Sequence, residues 1–184
     1  MNVGLNSLRA RIPSLPESPD DVAKLLEERG FRVTRAVPLS EMLRPVVVAR
    51  VESVTQHPNA DRLKVCSVDD GTEQRLQIVT GADNVQAGAS YPLIRGGVTL
   101  PDGRKIKRGK LRGEVSEGML GSADELELGT DHEGLYTLPD GFAPGTPLTD
   151  VIPTPGVVFV LEGNGEIDDV VAKLTGSAEQ SESS

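Results

Sequence analysis

Short segments rich in Val, Ile and Leu, separated by turn residues, dominate the middle of this chain and most limit its possible folds. VVVARVESV (46–54) is rich in β-branched residues, and LKVCSVD (63–69) and RLQIVTG (75–81) follow it. The dipeptide Asp70-Gly71 between the last two is typical of a tight hairpin turn. Further short segments continue the series: ASYPLIRG, EGMLGS and GLYTLPDG. Five or more short strands with turn signals about every 8–12 residues predict a small barrel or sandwich.

Each end of the chain is predicted to contain one helix and one strand. SPDDVAKLLEERG (18–30) begins with a capping serine and a proline and ends with a glycine, as helices often do. A strand is predicted at 31–37, a buried strand at 157–163 and a second helix at 165–176. Neither end has enough apolar residues for an independent core. We therefore expect the two ends to pack together beside the barrel.

Composition limits the chemistry available to such a fold. The chain has one Cys, which excludes an intramolecular disulfide framework, and no Cys/His spacing suits zinc. Its start lacks the apolar run of a signal peptide, and no stretch approaches membrane-spanning length. We therefore expect a cytoplasmic protein without metal, cofactor or membrane contact.

Residues 57–71, HPNADRLKVCSVDDG, combine residue types that are typical of a reaction centre. His57, Asp61 and Cys66 match a base, an orienting acid and a nucleophile. However, strand alternation places Cys66 on the same side as Val68, which favours a buried thiol, and the proline after His57 favours a turn. The chain also lacks a Gly-rich phosphate-binding loop. We therefore predict a structural thiol, a turn histidine and no catalytic residue.

Basic residues are concentrated in one short run, although the chain as a whole is acidic. The net charge is −9, yet RKIKRGKLR (104–112) carries +6, which leaves −15 for the rest. If this run forms an edge strand or a hairpin limb, alternation places Arg104, Arg108, Lys110 and Arg112 on one side, suited to phosphate contact. Two alternatives remain open. Cations on an edge strand also block aggregation, and the seven acids within 114–133 can neutralise the run inside the chain.

Aromatic residues are scarce, with three Phe, two Tyr and no Trp. Barrels that bind single strands usually stack bases on exposed aromatic rings. Tyr91 and Tyr136 are the candidates for such stacking, and a core position is expected for each. A surface that contacts the backbone of folded RNA therefore fits this composition better than one that binds single-stranded DNA.

Four motifs, in order and at suitable spacing, carry a family resemblance: HPNADRLKVC, TGADN, LRGEVSEGMLGS and GLYTLPDGFAPGTPL. Over about residues 44–150 the chain resembles the tRNA-binding domain of bacterial phenylalanyl-tRNA synthetase β subunits. LNSLRARIP with SPDDVAKLLEERGF resembles the segment that precedes that domain, and VVFVLEG resembles the strand that follows it.

This resemblance implies a mainly β protein, α+β overall, with a five-stranded barrel of the oligonucleotide-binding (OB) type flanked by a small α/β layer. We predict the barrel domain at 44–151, a discontinuous α/β subdomain from 1–43 and 152–176, and a disordered tail at 177–184. The family continues for several hundred residues, including an editing module, whereas this sequence has NGEIDDVV and a polar tail. We therefore expect a free-standing homologue of the N-terminal module, without aminoacylation or editing.

The resemblance also implies an RNA-facing surface on the barrel, next to the basic run. Together they give these candidate residues: Arg62, Lys64, Arg104, Lys105, Lys107, Arg108, Lys110, Arg112, Ser116, Met119 and Ser122. The leading prediction is a non-catalytic RNA-binding protein that binds tRNA or another structured RNA. The alternative is a protein-interaction or chaperone-like module that uses the barrel edge, with a protein partner or as a homodimer. Single-stranded DNA binding is a third possibility.

Overall fold

A computed structural model describes residues 1–176. The N-terminal part contains β1 (Asn2–Gly4), α1 (Leu5–Arg11), α2 (Pro19–Glu28), β2 (Val33–Pro38) and α3 (Leu39–Met42). The middle contains β3 (Val47–Gln56), β4 (Lys64–Asp69), β5 (Leu76–Thr80), β6 (Ser90–Arg95), β7 (Gly109–Leu111), β8 (Glu114–Ser116) and β9 (Gly118–Leu120). A short 3₁₀ helix (Leu148–Asp150), β10 (Val157–Leu161) and α4 (Ile167–Thr175) follow. The predicted disordered tail at 177–184 lies outside the described residues.

Five antiparallel strands form a nearly closed barrel in the order β5-β4-β3-β6-β9. Hydrogen bonds between β5 and the β8–β9 segment close it. The Glu117 amide donates to the Gln77 carbonyl at 2.9 Å, and the Val79 amide donates to the Ser116 hydroxyl at 3.0 Å. A five-stranded barrel that closes between its third and fifth strands is of the OB type. The predicted fold class is confirmed.

Aliphatic side chains fill the barrel interior. Cys66 and Val68, both on β4, are fully buried in this core, as their alternation predicts. Tyr91 on β6 is also buried, and its hydroxyl donates to the Asn84 carbonyl at 3.0 Å and accepts the Gln86 amide at 2.9 Å. These three side chains therefore serve the core and are not available to a ligand.

The two ends of the chain meet in a second antiparallel sheet, in the order β1-β10-β2. Helices α1, α2 and α4 bury their apolar sides against it, and the core between them includes Leu8, Val22, Leu26 and Val170 of the helices and Phe159 of β10. Helix α2 follows Ser18 as predicted, although the Ser18 hydroxyl makes no capping hydrogen bond. The predicted pairing of the two ends is confirmed. None of the helices in residues 1–176 is long and apolar enough to cross a membrane.

A third apolar cluster lies between the barrel and this terminal layer. It joins Val48 of β3 and Ile94 of β6 to Val158 of β10, all fully buried. Both sheets therefore share one apolar core at their junction. The domain bounds given above stay a prediction, because this shared cluster does not mark a boundary between independent units.

Two buried carboxylates connect distant segments. Asp70 accepts the Thr72 hydroxyl at 2.6 Å and Arg95 Nη2 at 3.0 Å, which ties the β4–β5 turn to β6. Burial by itself raises the pKa of Asp70, but the hydrogen bonds from Thr72 and Arg95 outweigh it and hold the pKa below its usual value. Glu127 accepts the Ser7 amide at 2.7 Å and also the Ser7 hydroxyl, which ties the barrel to α1. Burial raises the pKa of Glu127 more than the bonds from Ser7 lower it.

Candidate nucleic-acid interface

Two loops of the barrel come into contact on one side of the fold. Residues 57–63 connect β3 to β4, and residues 96–117 connect β6 to β9. The second loop contains the β7–β8 hairpin, in which Leu111 lies opposite Glu114. In OB-type barrels these two connections, between the first and second and between the fourth and fifth strands, commonly take part in oligonucleotide binding.

Side chains of the first loop hold the backbone of the hairpin. His57 is buried, and its Nε2 lies 2.8 Å from the Leu111 carbonyl oxygen. Its Nδ1 accepts the Asn59 amide at 2.9 Å, so in the neutral ring Nε2 carries the proton and donates to Leu111. The Asn59 side-chain amide donates to the Arg112 carbonyl at 3.1 Å. The HPN sequence therefore acts as a clamp on the hairpin, in addition to forming a turn.

The hairpin turn is made by Arg112 and Gly113. Their φ angles are +55° and +94°, the signs that a two-residue type I′ turn requires at its central positions. Positive φ is unusual for arginine, and the hydrogen bond from Asn59 to the Arg112 carbonyl stabilises it. This conformation places the Arg112 side chain at the exposed end of the hairpin.

Six cations on these two joined loops are exposed, and we call them the hairpin surface: Arg62, Lys105, Lys107, Arg108, Lys110 and Arg112. Within residues 1–176, none of the six forms an ion pair with a carboxylate. Their charges therefore face solvent without compensation. Lys64, at the start of β4, is half-buried, and its Nζ donates to the Asp83 carbonyl at 3.4 Å.

Arg104 differs from the other cations of the basic run. Its Nε lies 2.8 Å from Asp102 and its Nη2 lies 3.6 Å from Glu125. Among the cations of residues 104–112, Arg104 alone is neutralised by acids of the described chain, the alternative that the sequence left open. The alignment of four cations by alternation required a strand or hairpin limb along 104–112, and this condition is met only at Gly109–Leu111. An isolated bridge between Thr99 and Lys105 and the loop that follows it replace the rest of the expected strand.

Three glutamates at and after the end of the hairpin make hydrogen bonds with other parts of the fold. Glu117 accepts the Gln77 amide at 2.7 Å, and Glu114 accepts the Gln77 side-chain amide at 3.2 Å. Glu127 is buried against Ser7. These contacts direct the three carboxylates toward the barrel and the terminal layer, and in the described chain none of the three forms an ion pair with the hairpin surface.

Three uncharged candidates occupy structural positions. The Ser116 hydroxyl is buried, accepts the Val79 amide and donates to the Gly118 carbonyl at 2.9 Å. The buried Ser122 hydroxyl bonds Glu125 at 2.9 Å, and Met119 packs half-buried against the junction cluster. Their burial argues against the direct RNA contact that the family resemblance implied.

The apparent reaction centre is likewise structural. Cys66 is fully buried, and burial raises the pKa of its thiol to about 11, so the nucleophilic thiolate is disfavoured. Both ring nitrogens of His57 are engaged by the backbone groups of Asn59 and Leu111. Within residues 1–176, no three His, Cys, Asp or Glu side chains are grouped as metal ligands.

Two features of this site were not predicted from the sequence. One is the clamp, since the sequence indicates only a turn at His57 and Asn59. The other is Leu111, whose side chain is 47% exposed at the end of the hairpin. The sequence Lys-Leu-Arg-Gly, read as a strand that enters a two-residue turn, could have predicted an apolar residue at a basic hairpin tip.

Comparisons with known proteins agree with this architecture. Residues 46–147 match the family model described as "Putative tRNA binding domain". The phenylalanine–tRNA ligase β subunit of Bordetella parapertussis is 44% identical over 143 residues, which cover 78% of this chain and 18% of that protein. The β subunit of Xanthomonas campestris pv. campestris is 43% identical over 155 residues, or 84% of this chain and 19% of that protein. The chain thus spans about a fifth of the length of these relatives.

Two solved structures are also similar. The C-terminal domain of Plasmodium vivax p43 aligns with a TM-score of 0.41 and 24% identity, over 56% of this chain and 59% of that one. A MetRS-related protein from Pyrococcus horikoshii aligns with a TM-score of 0.41 and 21% identity, over 56% of this chain and 87% of that one. On the family model and the identity to the β subunits, this chain belongs to the tRNA-binding domain family found in phenylalanine–tRNA ligase β subunits.

Proposed function

We propose that this chain is a non-catalytic module that binds tRNA or another structured RNA by contacting phosphates with the hairpin surface. The observation that carries the proposal is the set of six exposed cations without ion pairs in the described chain, on two loops joined by His57 and Asn59. Phosphate oxygens are the natural partners of exposed Lys and Arg side chains. Membership of a tRNA-binding domain family supports RNA as the ligand.

The overall negative charge restricts how this binding works. A protein with a net charge of −9 repels phosphate over most of its surface. Attraction is then confined to the region where cations are uncompensated, so the RNA must approach in a limited range of orientations. Six phosphate contacts give a slope of log affinity against log salt of about −4 to −5.

Folded RNA fits the surface better than a single strand. Tyr91 and Phe159 are fully buried, and Phe31, Tyr136 and Phe142 are half-buried, so none of the five aromatic residues is largely exposed for base stacking. Base stacking on aromatic rings supplies much of the affinity of barrels for single strands. Without it, contacts with phosphates of a folded RNA are the main source of affinity.

The test uses paired charge reversals with a matched control. Lys107→Glu with Lys110→Glu changes two cations of the hairpin surface. Lys24→Glu with Arg44→Glu makes the same change in net charge at exposed cations outside the two loops. In titrations with total tRNA, we expect the first pair to weaken binding at least tenfold and to reduce the salt slope by about 2. The control pair should weaken binding much less.

Two results would contradict the proposal. One is equal loss of affinity in both double variants, which would mean that only net charge matters. The other is absence of tRNA binding by the unmodified protein at low salt. In that case the protein-interaction module, with a partner that binds the barrel edge, becomes the better explanation.

A further inference from the structure

Leu111 is the large hydrophobic side chain that stands out on the surface of residues 1–176. It is 47% exposed, and among the described residues no other large hydrophobic side chain is classed as exposed. It lies at the end of β7, directly before the Arg112-Gly113 turn. The residue therefore lies next to the turn of the hairpin, among the cations of the hairpin surface.

The fold of the hairpin does not require a leucine at this position. Its partner across the hairpin is Glu114, so no apolar cross-strand pair is formed there. The positive φ angles belong to Arg112 and Gly113. The contact with His57 uses the carbonyl of Leu111, which any residue would provide. A polar side chain would satisfy the same local geometry, so the apolar group points to a role in binding.

The charges on either side of Leu111 restrict what can cover it. Lys110 and Arg112 are both exposed and form no ion pair in the described part of the chain. A partner that covers Leu111 therefore comes close to uncompensated cations and needs an apolar surface with negative groups near it. A nucleotide base between two backbone phosphates has this arrangement, and apolar side chains of this kind do insert beside bases in nucleic-acid complexes.

The backbone at this position is held before any ligand arrives. His57 donates to the Leu111 carbonyl at 2.8 Å and Asn59 donates to the Arg112 carbonyl at 3.1 Å. Little backbone freedom is therefore lost at this position when a ligand binds. This favours a specific contact over a merely tolerated exposed leucine.

We propose that Leu111 packs against an unstacked base of the bound RNA, while Lys110 and Arg112 contact the phosphates on either side. This inference rests on the RNA-binding function proposed above. Bases inside a continuous A-form duplex are stacked, and their major-groove edges are out of reach of side chains. The preferred ligand is therefore a duplex interrupted by an unpaired nucleotide, rather than a perfect duplex.

The experiment compares a fully paired RNA duplex with the same duplex carrying one unpaired nucleotide at its centre. The unmodified protein should bind the interrupted duplex more tightly. Leu111→Ser should remove that preference by lowering the affinity for the interrupted duplex about fivefold. This is the change expected when the apolar surface of the exposed half of a leucine is no longer buried on binding. The salt slope should stay the same, because no charge is altered.

Lys110→Ser is the matched control on the neighbouring residue. It should lower the affinity for both RNAs to a similar extent and reduce the slope of log affinity against log salt by about 1. Because Leu111 is only partly covered by the protein, Leu111→Ser should lower the melting temperature by no more than a few degrees. Equal affinity of Leu111→Ser and the unmodified protein for the interrupted duplex would overturn the base contact while leaving the cationic interface intact. Failure of the unmodified protein to bind either RNA would overturn both proposals.

Discussion

Replacing His57 with phenylalanine tests whether the loop at 57–63 holds the hairpin surface in place. Phenylalanine keeps an aromatic ring of similar size but has no donor or acceptor. Because His57 is only 3% exposed, the substitution removes two internal hydrogen bonds, the one to the Leu111 carbonyl and the one from the Asn59 amide. All six cations of the hairpin surface remain.

The expected loss of stability follows from these two bonds. Each contributes about 0.5–1.5 kcal/mol net, and a backbone group left buried without a partner costs about 1–3 kcal/mol. Both backbone groups lie in loops that water can reach once the ring no longer binds them. We therefore expect a total loss of about 2 kcal/mol. In a chain of this size that corresponds to a fall of about 4–8 °C in melting temperature.

Three measurements test the effect of His57→Phe on stability, on local opening of the hairpin and on RNA binding. Thermal unfolding gives the loss of stability, and amide hydrogen exchange over 109–116 should become faster as the hairpin opens locally. Binding of tRNA should weaken several-fold while its salt slope stays unchanged, because the cations are present but less well positioned. His132→Phe is the control, since His132 is exposed in a loop and should leave all three measurements unchanged.

Unchanged hydrogen exchange over 109–116 in His57→Phe would refute the reasoning even if the melting temperature fell. It would mean that the Arg112-Gly113 turn and β8 hold the hairpin without the clamp. A change in the salt slope would also contradict it, since that would show a loss of phosphate contacts and not of their positioning.

Three further substitutions test other parts of the structure. Glu127→Gln keeps an acceptor for the Ser7 amide, and its NH2 group donates to the Ser7 hydroxyl oxygen instead of accepting from it. Because burial raises the pKa of Glu127, ionisation destabilises the fold as pH rises above about 4.5, so in urea unfolding the variant should gain stability relative to the unmodified protein as pH rises from there. Asp70→Asn loses the charged contact with Arg95 and should lower the free energy of unfolding by about 1–3 kcal/mol at neutral pH. Because the pKa of Asp70 is lowered in the fold, the difference in stability between the variant and the unmodified protein should shrink as pH falls through and below about 3.8. Gly118→Ala places a methyl group 2.5 Å from a carbonyl oxygen of β6 and should destabilise by about 2 kcal/mol or more, whereas Gly109→Ala, with open space around it, should not.

The barrel strands were predictable because two local signals agree there. Alternation in LKVCSVD places Cys66 and Val68 inside, and Asp70-Gly71 ends the strand at a turn, so the predicted segment 63–69 became a strand at Lys64–Asp69. The pairing of the chain ends was also predictable, because each had an apolar strand that could not be buried alone.

The conformation of the basic run was not predictable in the same way. Cations within 104–112 carry no burial pattern, so their spacing does not report whether the backbone is a strand. Which acids neutralise them depends on distances across the fold: Glu125 reaches Arg104, whereas Glu117 turns to Gln77. The clamp by His57 and Asn59 is similarly invisible in sequence, since its acceptors are backbone carbonyls some fifty residues away.

The apolar cluster between the barrel and the terminal layer makes the two sheets one thermodynamic unit. Val158 belongs to β10 near the C-terminal end, yet it is buried with Val48 and Ile94 of the barrel. Separating the sheets would expose aliphatic surface on both, so neither should melt alone and unfolding should occur in one cooperative transition. The two loops that carry the hairpin surface lie in the middle of the chain. The fraction of molecules in which they are ordered therefore depends on strands at both chain ends.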